Sequence, residues 1–82
     1  ELSATSMVYP NPVKDLCKIN FPSEGLYDLK LVNIFGQEIY YRLSDITANT
    51  ATIDLSNVRN GIYFLQISQA NRHMESIKVV KI

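Results

Sequence analysis

Apolar side chains recur at every second position in several short runs of this chain. In the run 16–21, for example, the odd positions are the apolar Cys17, Ile19 and Phe21, and the polar Lys18 lies between two of them. A period of two residues is typical of a β-strand with one buried face, whereas an amphipathic helix repeats its apolar positions every three to four residues. Helix signals of similar strength are almost absent. The sequence therefore predicts an all-β fold.

The runs are separated by segments rich in Gly, Asn, Ser and Pro, which favour turns. We predict an immunoglobulin-like antiparallel β-sandwich of about seven strands, with a small closed barrel as the alternative. In this prediction a hairpin turns at Gly36, and a polar loop spans residues 44–50. The predicted strands are residues 7–9, 16–21, 26–35, 38–43, 51–55, 62–69 and 76–82.

The length and charge of the chain limit the classes of function. Its 82 residues fit one domain with a thin core. Eight Lys and Arg residues balance eight Asp and Glu residues, so bulk charge gives no reason to expect a nucleic acid or an anionic membrane as partner. No apolar run is long enough for a transmembrane segment. A basic and apolar leader is missing as well, and the start at Glu1 suggests a piece of a longer protein.

The residues that usually carry catalysis or bind metals are sparse. Cys17 is the only cysteine, and its place in an apolar alternation predicts a small buried side chain rather than a reactive thiol. His73, the only histidine, lies in a polar turn with no nucleophile or orienting partner nearby in sequence. Metal-ligand spacings and Gly-rich phosphate loops are missing, and a solvent-facing carboxylate explains Asp54. We therefore predict a protein that is not an enzyme and uses no cofactor or metal.

The corner before the strongest predicted strand contains a candidate structural tyrosine. Asn60 and Gly61 can adopt positive φ angles at low cost, and Tyr63 follows two residues after Gly61. In immunoglobulin-like sandwiches, a tyrosine at such a corner donates a hydrogen bond to the preceding backbone. Tyr63 fits this role, and an ordinary core tyrosine is the alternative.

Several strands are predicted to be apolar on both faces. Tyr40 and Tyr41 are adjacent, so a strand would direct them to opposite faces and expose at least one of them. In a thin two-layer protein, strands of this kind imply either deep packing or an exposed apolar patch. The other apolar residues that are out of phase with the predicted core are Ile62, Phe64, Val80 and Ile82.

Four short motifs occur in order along the chain. The first is Tyr9-Pro10-Asn11-Pro12, and the second is Asn33-Ile34-Phe35-Gly36-Gln37-Glu38. The third combines Asp54-Leu55-Ser56 with Asn60-Gly61-Ile62-Tyr63-Phe64-Leu65-Gln66-Ile67, and the last is Lys78-Val79-Val80-Lys81. Together they closely resemble the type IX secretion C-terminal sorting domain, the Por secretion tail. The resemblance covers residues 7–82, and the ordered set is far more specific than any single motif.

The resemblance implies a secretion signal. Domains of this family lie at the C-terminus of larger proteins that Gram-negative bacteria of the Bacteroidetes group export. The cargo reaches the periplasm with an N-terminal signal peptide, and the outer-membrane type IX translocon then recognises the C-terminal domain. A sortase-like cysteine peptidase commonly removes the domain and can attach the cargo to anionic lipopolysaccharide. The family fold is an immunoglobulin-like β-sandwich, in agreement with the strand pattern.

Applied to this chain, the resemblance implies a linker end at residues 1–6, coming from an upstream cargo domain, and a sorting domain at residues 7–82. The product would then be secreted or held at the cell surface. One departure from the family pattern is that Ile82 follows the final lysine. The candidate recognition residues are Tyr9, Pro10, Asn11, Pro12, Gly36, Gly61, Tyr63, Lys78 and Lys81.

The first motif places two prolines where the β-structure begins. Proline has no backbone N–H and pushes the preceding residue toward extended conformations. We therefore expect this segment to enter the sandwich as an interrupted edge strand, which also hinders edge-to-edge aggregation. It would also be a stiff junction between the cargo linker and the folded domain. The alternative is an entry kink with no role in recognition.

The last predicted strand, residues 76–82, is the part that we expect the translocon to read most directly. Alternation places Lys78 and Lys81 on opposite faces of this strand. We expect the Lys81 stem to pack against the domain while its ammonium stays solvated and available to an acidic partner.

A carbohydrate-binding or adhesive β-sandwich module of a surface protein is the alternative function. Such a module needs an exposed aromatic platform. The candidates for that platform are Tyr27, Tyr40, Tyr41 and Phe64.

Overall fold

The computed structural model describes residues 5–69 and 74–82, and the regular elements found there are all β-strands. The predicted turn at residues 71–73, with His73, and residues 1–4 of the predicted linker lie outside the described residues. The eight strands are β1 (Met7–Tyr9), β2 (Leu16–Asn20), β3 (Asp28–Asn33), β4 (Glu38–Ile39), β5 (Arg42–Ile46), β6 (Thr50–Asp54), β7 (Gly61–Ser68) and β8 (Met74–Lys81).

The strands form two sheets of four strands each. The first sheet has the order β1-β2-β6-β5, and the second sheet has the order β4-β3-β7-β8. All neighbouring strands within a sheet are antiparallel. No strand belongs to both sheets, so the fold is the predicted sandwich and not the closed barrel.

The core lies between the sheets and follows the predicted alternation. In β7, Tyr63, Leu65 and Ile67 are buried, and the residues between them are more exposed. In β2, the same alternation buries Cys17 and Ile19. Apolar burial of this kind is the main favourable term in folding. The buried core consists of Val13, Cys17, Ile19, Phe21, Leu31, Ala51, Ile53, Leu55, Val58, Tyr63, Leu65, Ile67 and Val79.

The predicted strand 38–43 is wrong as a single element, because it is divided between the two sheets. β4 pairs with β3 in the second sheet, and β5 pairs with β6 in the first sheet. Between them, the chain crosses from one sheet to the other through Tyr40 and Tyr41. Tyr41 packs against the core, and its hydroxyl donates a hydrogen bond to the carbonyl oxygen of Leu29 at 3.1 Å. The division adds one strand to the predicted count and leaves only residues 47–49 of the predicted polar loop.

The turn between β3 and β4 is built around Gly36, as predicted. Gly36 has a φ angle of 82°, which residues with a side chain rarely adopt. The side-chain oxygen of Asn33 accepts hydrogen bonds from the backbone N–H groups of Phe35 and Gln37, at 2.9 and 3.0 Å. Asparagine favours turns for this reason, which explains its place at the start of the second motif.

Candidate functional site

The N-terminal strap, which we define as residues 6–13, joins the two sheets along one edge of the sandwich. It begins beside β8, and β1 within it pairs with β2 in the first sheet. Pro10, Asn11 and Pro12 then lead the chain back to β8, which is the edge strand of the second sheet. The predicted interrupted edge strand is therefore confirmed, and its interruption brings the first and last motifs together.

Val13 pairs with the C-terminal end of β8 as a single residue of a parallel strand. Its backbone N–H donates a hydrogen bond to the carbonyl oxygen of Val80 at 2.8 Å, and its own carbonyl oxygen accepts one from the N–H of Ile82 at 2.9 Å. This is a parallel bridge between Val13 and Lys81. The Val13 side chain is fully buried in the core, so the bridge is fixed by packing as well.

Asn11 continues this pairing with its side chain in place of its backbone. The side-chain Nδ2 donates a hydrogen bond to the carbonyl oxygen of Lys78 at 2.8 Å, and Oδ1 accepts one from the N–H of Val80 at 3.0 Å. In a parallel ladder in register with Val13 and Lys81, the peptide groups of residue 11 would bond to these same two groups. The carboxamide of Asn11 therefore takes the place of a strand backbone between two prolines.

Ser6 holds the other end of the strap. Its backbone N–H and its hydroxyl donate hydrogen bonds to the two carboxylate oxygens of Glu75, both at 2.8 Å. A carboxylate that accepts two hydrogen bonds forms a stronger contact than a neutral acceptor does. Ser6 is only 7% exposed, so the fold extends to at least this residue. The sequence gives no sign of this contact, since the two residues are 69 positions apart.

The two lysines of β8 lie on opposite faces, as predicted, but their exposure differs from the prediction. Lys78 is exposed on the outer face, whereas Lys81 is 6% exposed, and its ammonium donates a hydrogen bond to the carbonyl oxygen of Ile82 at 3.3 Å. The structure corrects the prediction of an accessible lysine here, because only 6% of the Lys81 surface is exposed. Position 81 shares the inward face of β8 with Val79, and Val13 pairs with it at the edge.

The outer face of the second sheet carries an apolar patch, which we call the outer patch: Val32, Ile62, Phe64 and Val80. Strands of this kind were predicted to be either deeply packed or exposed, and the patch is partly both, since Val32 is 7% exposed while Phe64 and Val80 are half-buried. These residues meet across the strands, since Val32 is opposite Phe64 and Ile62 is opposite Val80. Ile62 is 44% exposed, and Lys78 lies at the margin of the patch opposite Phe64. The fourth out-of-phase residue, Ile82, is 57% exposed just beyond β8.

Two other predicted recognition residues, Gly61 and Tyr63, lie on β7 next to this region. Gly61 is paired with Lys81, and Tyr63 is paired with Val79. The Tyr63 hydroxyl donates a hydrogen bond to the carbonyl oxygen of Arg59 at 2.7 Å, which is the predicted corner interaction. Gly61 has a φ angle of 154°, another conformation that favours glycine.

The remaining two predicted residues, Tyr9 and Gly36, lie away from β8, in elements that do not pair with it in the described part of the chain. Tyr9 is 41% exposed in β1, and its hydroxyl accepts a hydrogen bond from the side chain of Asn20 in the first sheet. Gly36 lies in the β3–β4 turn, on the opposite side of the second sheet from β8. Of the nine predicted residues, the structure gathers Pro10, Asn11, Pro12, Gly61, Tyr63, Lys78 and Lys81 around the end of β8.

Within the described residues, the side chains do not form a metal-binding group of His, Cys, Asp or Glu. Cys17 is buried, and burial raises the pKa of its thiol to about 11, so the thiol stays protonated at neutral pH. Hydrogen bonds from the Ser56 side chain and backbone lower the pKa of Asp54, with a smaller contribution from Arg42. No helix in the described part of the chain is long and apolar enough to cross a membrane.

The aromatic residues that could form a carbohydrate platform do not lie together. Tyr27 stacks on Phe21, with ring centroids 4.0 Å apart, beside the loop before β3. Tyr40 is 90% exposed at the crossing between the sheets, and Tyr41 is turned toward the core there. Phe64 lies in the outer patch. The described residues therefore place these rings at three separate sites.

Comparison with known families agrees with the four sequence motifs. A family model described as the secretion system C-terminal sorting domain matches residues 7–81. Searches of curated proteins and of solved structures found no significant match. The family match spans all eight strands and the strap from β1 onward. The chain therefore belongs to the secretion system C-terminal sorting domain family.

Proposed function

We propose that this domain directs an attached cargo protein across the outer membrane through the type IX secretion machinery. The family match over residues 7–81 is the observation that supports this function. The upstream cargo would carry its own signal peptide for the first step into the periplasm. The final location of the cargo would be the cell surface or the medium. The domain itself would act by binding, in line with the prediction that it is not an enzyme.

The surface that the translocon would read is the outer side of β8 and its surroundings. Lys78 supplies an exposed positive charge there, and the outer patch supplies apolar area next to it. Because Lys81 is buried, its role would be structural, and Lys78 takes the part of the solvated cation. Asn11 and Val13 would hold β8 in position, and Gly61 and Tyr63 would shape the neighbouring strand.

Cleavage by a sortase-like cysteine peptidase would fall before Ser6. A peptidase needs an extended and accessible segment. Ser6 is buried and bonded to Glu75, so every described residue from Ser6 to Tyr9 is engaged by the fold. Mass spectrometry of cargo processed in a competent host should place the cut between the cargo and Ser6. A cut anywhere after Ser6 would contradict this proposal.

A fusion experiment tests the sorting function. A fluorescent carrier with a signal peptide, fused to residues 1–82, should reach the medium or the cell surface in a host with type IX secretion. The same fusion should stay in the periplasm when the translocon is deleted. Retention of a folded fusion in the competent host would contradict the proposed function.

A pair of lysine variants separates recognition from folding in the same assay. Lys78→Ala should reduce export and leave the melting curve of the isolated chain unchanged, because an exposed charge contributes little to stability. Lys30→Ala is the matched control, since Lys30 is an exposed residue of β3 in the same sheet. Equal export of both variants would show that Lys78 has no part in recognition.

A further inference from the structure

The outer edge of β8 is only partly covered by the strap. Since the backbone groups of Val80 point outward to Asn11 and Val13, those of Lys78 and Ser76 point outward as well. Asn11 binds the carbonyl oxygen of Lys78. The N–H of Lys78 and the carbonyl oxygen of Ser76 have no hydrogen-bond partner among the described residues. Within the described part of the chain, the middle of this edge therefore presents free backbone groups.

These free groups follow from where the strap leaves β8. In the register set by Val13 and Lys81, Tyr9 would lie opposite Ile77 and would bond to both free groups. Tyr9 pairs instead with Lys18 of β2, in the first sheet. Along the outer edge of β8, Val13 of the strap thus forms backbone hydrogen bonds of a parallel ladder at the C-terminal end. The Asn11 side chain forms the next two bonds, and no residue of the strap bonds to the groups beyond them.

We infer that the outer edge of β8 is an acceptor for an extended peptide strand of a partner, which pairs with it in parallel and displaces the Asn11 side chain. This inference rests on the proposed function, because it describes how residues 76–82 are read. A parallel strand would form four backbone hydrogen bonds, to the carbonyl oxygens of Ser76 and Lys78 and to the N–H groups of Lys78 and Val80. The Asn11 amide supplies only two of these. Strand addition to an exposed sheet edge is a common mode of peptide recognition.

The neighbouring side chains indicate the chemistry of the partner strand. The residue opposite Lys78 would lie on the outer face, beside an exposed ammonium, so an acidic side chain fits there. The residues opposite Ile77 and Val79 would face the sandwich, where both β8 residues contact or form the core. Small apolar side chains fit these two positions. The partner segment is therefore extended, with an acidic residue between two apolar residues.

A peptide titration of the whole chain tests this inference. The probe is the acetylated and amidated peptide Thr-Val-Glu-Val-Thr, and binding is followed by the amide signals of the protein in NMR spectra. We expect saturable shifts at Ser76, Lys78 and Val80, and about tenfold tighter binding to the variant Asn11→Ala, because the two hydrogen bonds of the competing amide are gone. Asn57→Ala is the matched control, an exposed asparagine outside the strap, and should bind like the parent chain.

Further arms of the titration make the inference falsifiable. The same peptide with N-methyl groups on both valine nitrogens cannot donate to Ser76 or Lys78 and should not bind. Asn11→Asp keeps an acceptor for the Val80 N–H and loses the donor to Lys78, so its affinity for the peptide should lie between those of the parent and Asn11→Ala. The inference is overturned if folded Asn11→Ala does not bind, or if the shifts appear along β5. Unfolding of both Asn11 variants would overturn it too, because the strap could then not be displaced.

The result of the peptide titration can be interpreted separately from the result of the export assay. If the parent fusion is exported but no variant binds the peptide at β8, the sorting function stands and the strand-acceptor inference is wrong. If the peptide binds at β8 but the parent fusion is not exported, the proposed function is wrong and the acceptor edge remains.

Discussion

The two long edges of the sandwich are closed in different ways. At the joined edge, β4 and β5 belong to different sheets, and the chain itself connects them through Tyr40 and Tyr41. At the strapped edge, β1 and β8 lie at opposite ends of the sequence and are held together by hydrogen bonds and by one fully buried apolar side chain, that of Val13. The strap donates or accepts two hydrogen bonds at each of three residues, Ser6, Asn11 and Val13.

The difference determines which edge can open without unfolding the domain. A hydrogen bond contributes about 0.5–1.5 kcal/mol net, so the contacts of the strap are individually weak and can be broken one at a time. The connection through Tyr40 and Tyr41 is covalent and remains in every conformation. Proteins open locally where few strong contacts hold a segment. We therefore expect the strapped edge to open at lower free energy than the joined edge.

The largest effect should come from removing the buried anchor of the strap. Val13→Ala deletes two methyl groups from the core and should lower the free energy of unfolding by about 2–3 kcal/mol. Urea unfolding measures this loss. Val80→Ala makes the same chemical change in the outer patch and should cost less, because the Val80 side chain is only half-buried and is not part of the core between the sheets. Equal losses would mean that the strap is not anchored by Val13.

The next largest effect should come from the hydrogen bonds of the strapped edge. Asn11→Ala removes two exposed hydrogen bonds and should lower the free energy of unfolding by about 1–2 kcal/mol. Amide hydrogen exchange at Val80 should become faster than in the parent, while exchange at Leu31 in the second sheet should change only with global stability. Unchanged exchange at Val80 would contradict the assigned contact.

A smaller effect is expected when the joined edge loses its hydrogen bond. Burial, and to a lesser degree the carboxylate of Glu38, raises the pKa of Tyr41, so the hydroxyl stays protonated and donates to Leu29. Tyr41→Phe should cost about 1 kcal/mol in thermal or urea unfolding. Hydrogen exchange at Ile39 should show no separate local opening, because the chain still connects the two sheets. A selective increase in the exchange rate at Ile39 would show that the joined edge also opens locally, and the expected difference between the two edges would then be absent.

The smallest effect should be on the pH dependence of stability, through Asp54 near the joined edge. The pKa of Asp54 is lowered from its ordinary value of 3.8 in the folded state, so its ionised form stabilises the fold at neutral pH. This stability is lost as the pH falls below 3.8 and through the folded-state pKa. Asp54→Asn should therefore reduce the difference between the melting temperatures at pH 7 and pH 3 by a small amount, since the carboxylate is exposed.

Asp45→Asn removes the same charge from the neighbouring β5 and is the control for net charge. If both variants change the pH dependence equally, the hydrogen bonds from Ser56 to Asp54 have no special effect.

The strands with one buried face could be predicted from the sequence, whereas the strands of the joined edge could not. The alternation of β2 and β7 appears in the sequence because each strand has one face in the core. All five side chains of β5 are exposed, so burial leaves no pattern there, and three of its five residues were predicted as part of a polar loop. Only the pairing with β6 defines it.

The sequence motifs name the residues of the candidate site but not the contacts between them. The structure brings the first and last motifs together, yet nothing local in the sequence indicates that Asn11 bonds to Lys78, 67 residues away. A solvated Lys81 ammonium was predicted because a lysine stem can pack against the protein while its charged end reaches solvent. Its position on the inward face, opposite Val13, overrides that expectation. Both the Asn11 hydrogen bonds and the burial of Lys81 result from contacts between segments that are far apart in the sequence.

The parallel direction of the strap and β8 determines how the domain would respond to a pulling force. Ser6 lies beside Glu75 near the start of β8, and Val13 lies beside Lys81 at its end. A force that pulls Ser6 and Ile82 in opposite directions would therefore slide the two segments past each other and load their hydrogen bonds together. A force applied across the edge would break the same bonds one after another. The strap should resist tension between cargo and final strand, and yet peel off easily when it is lifted sideways.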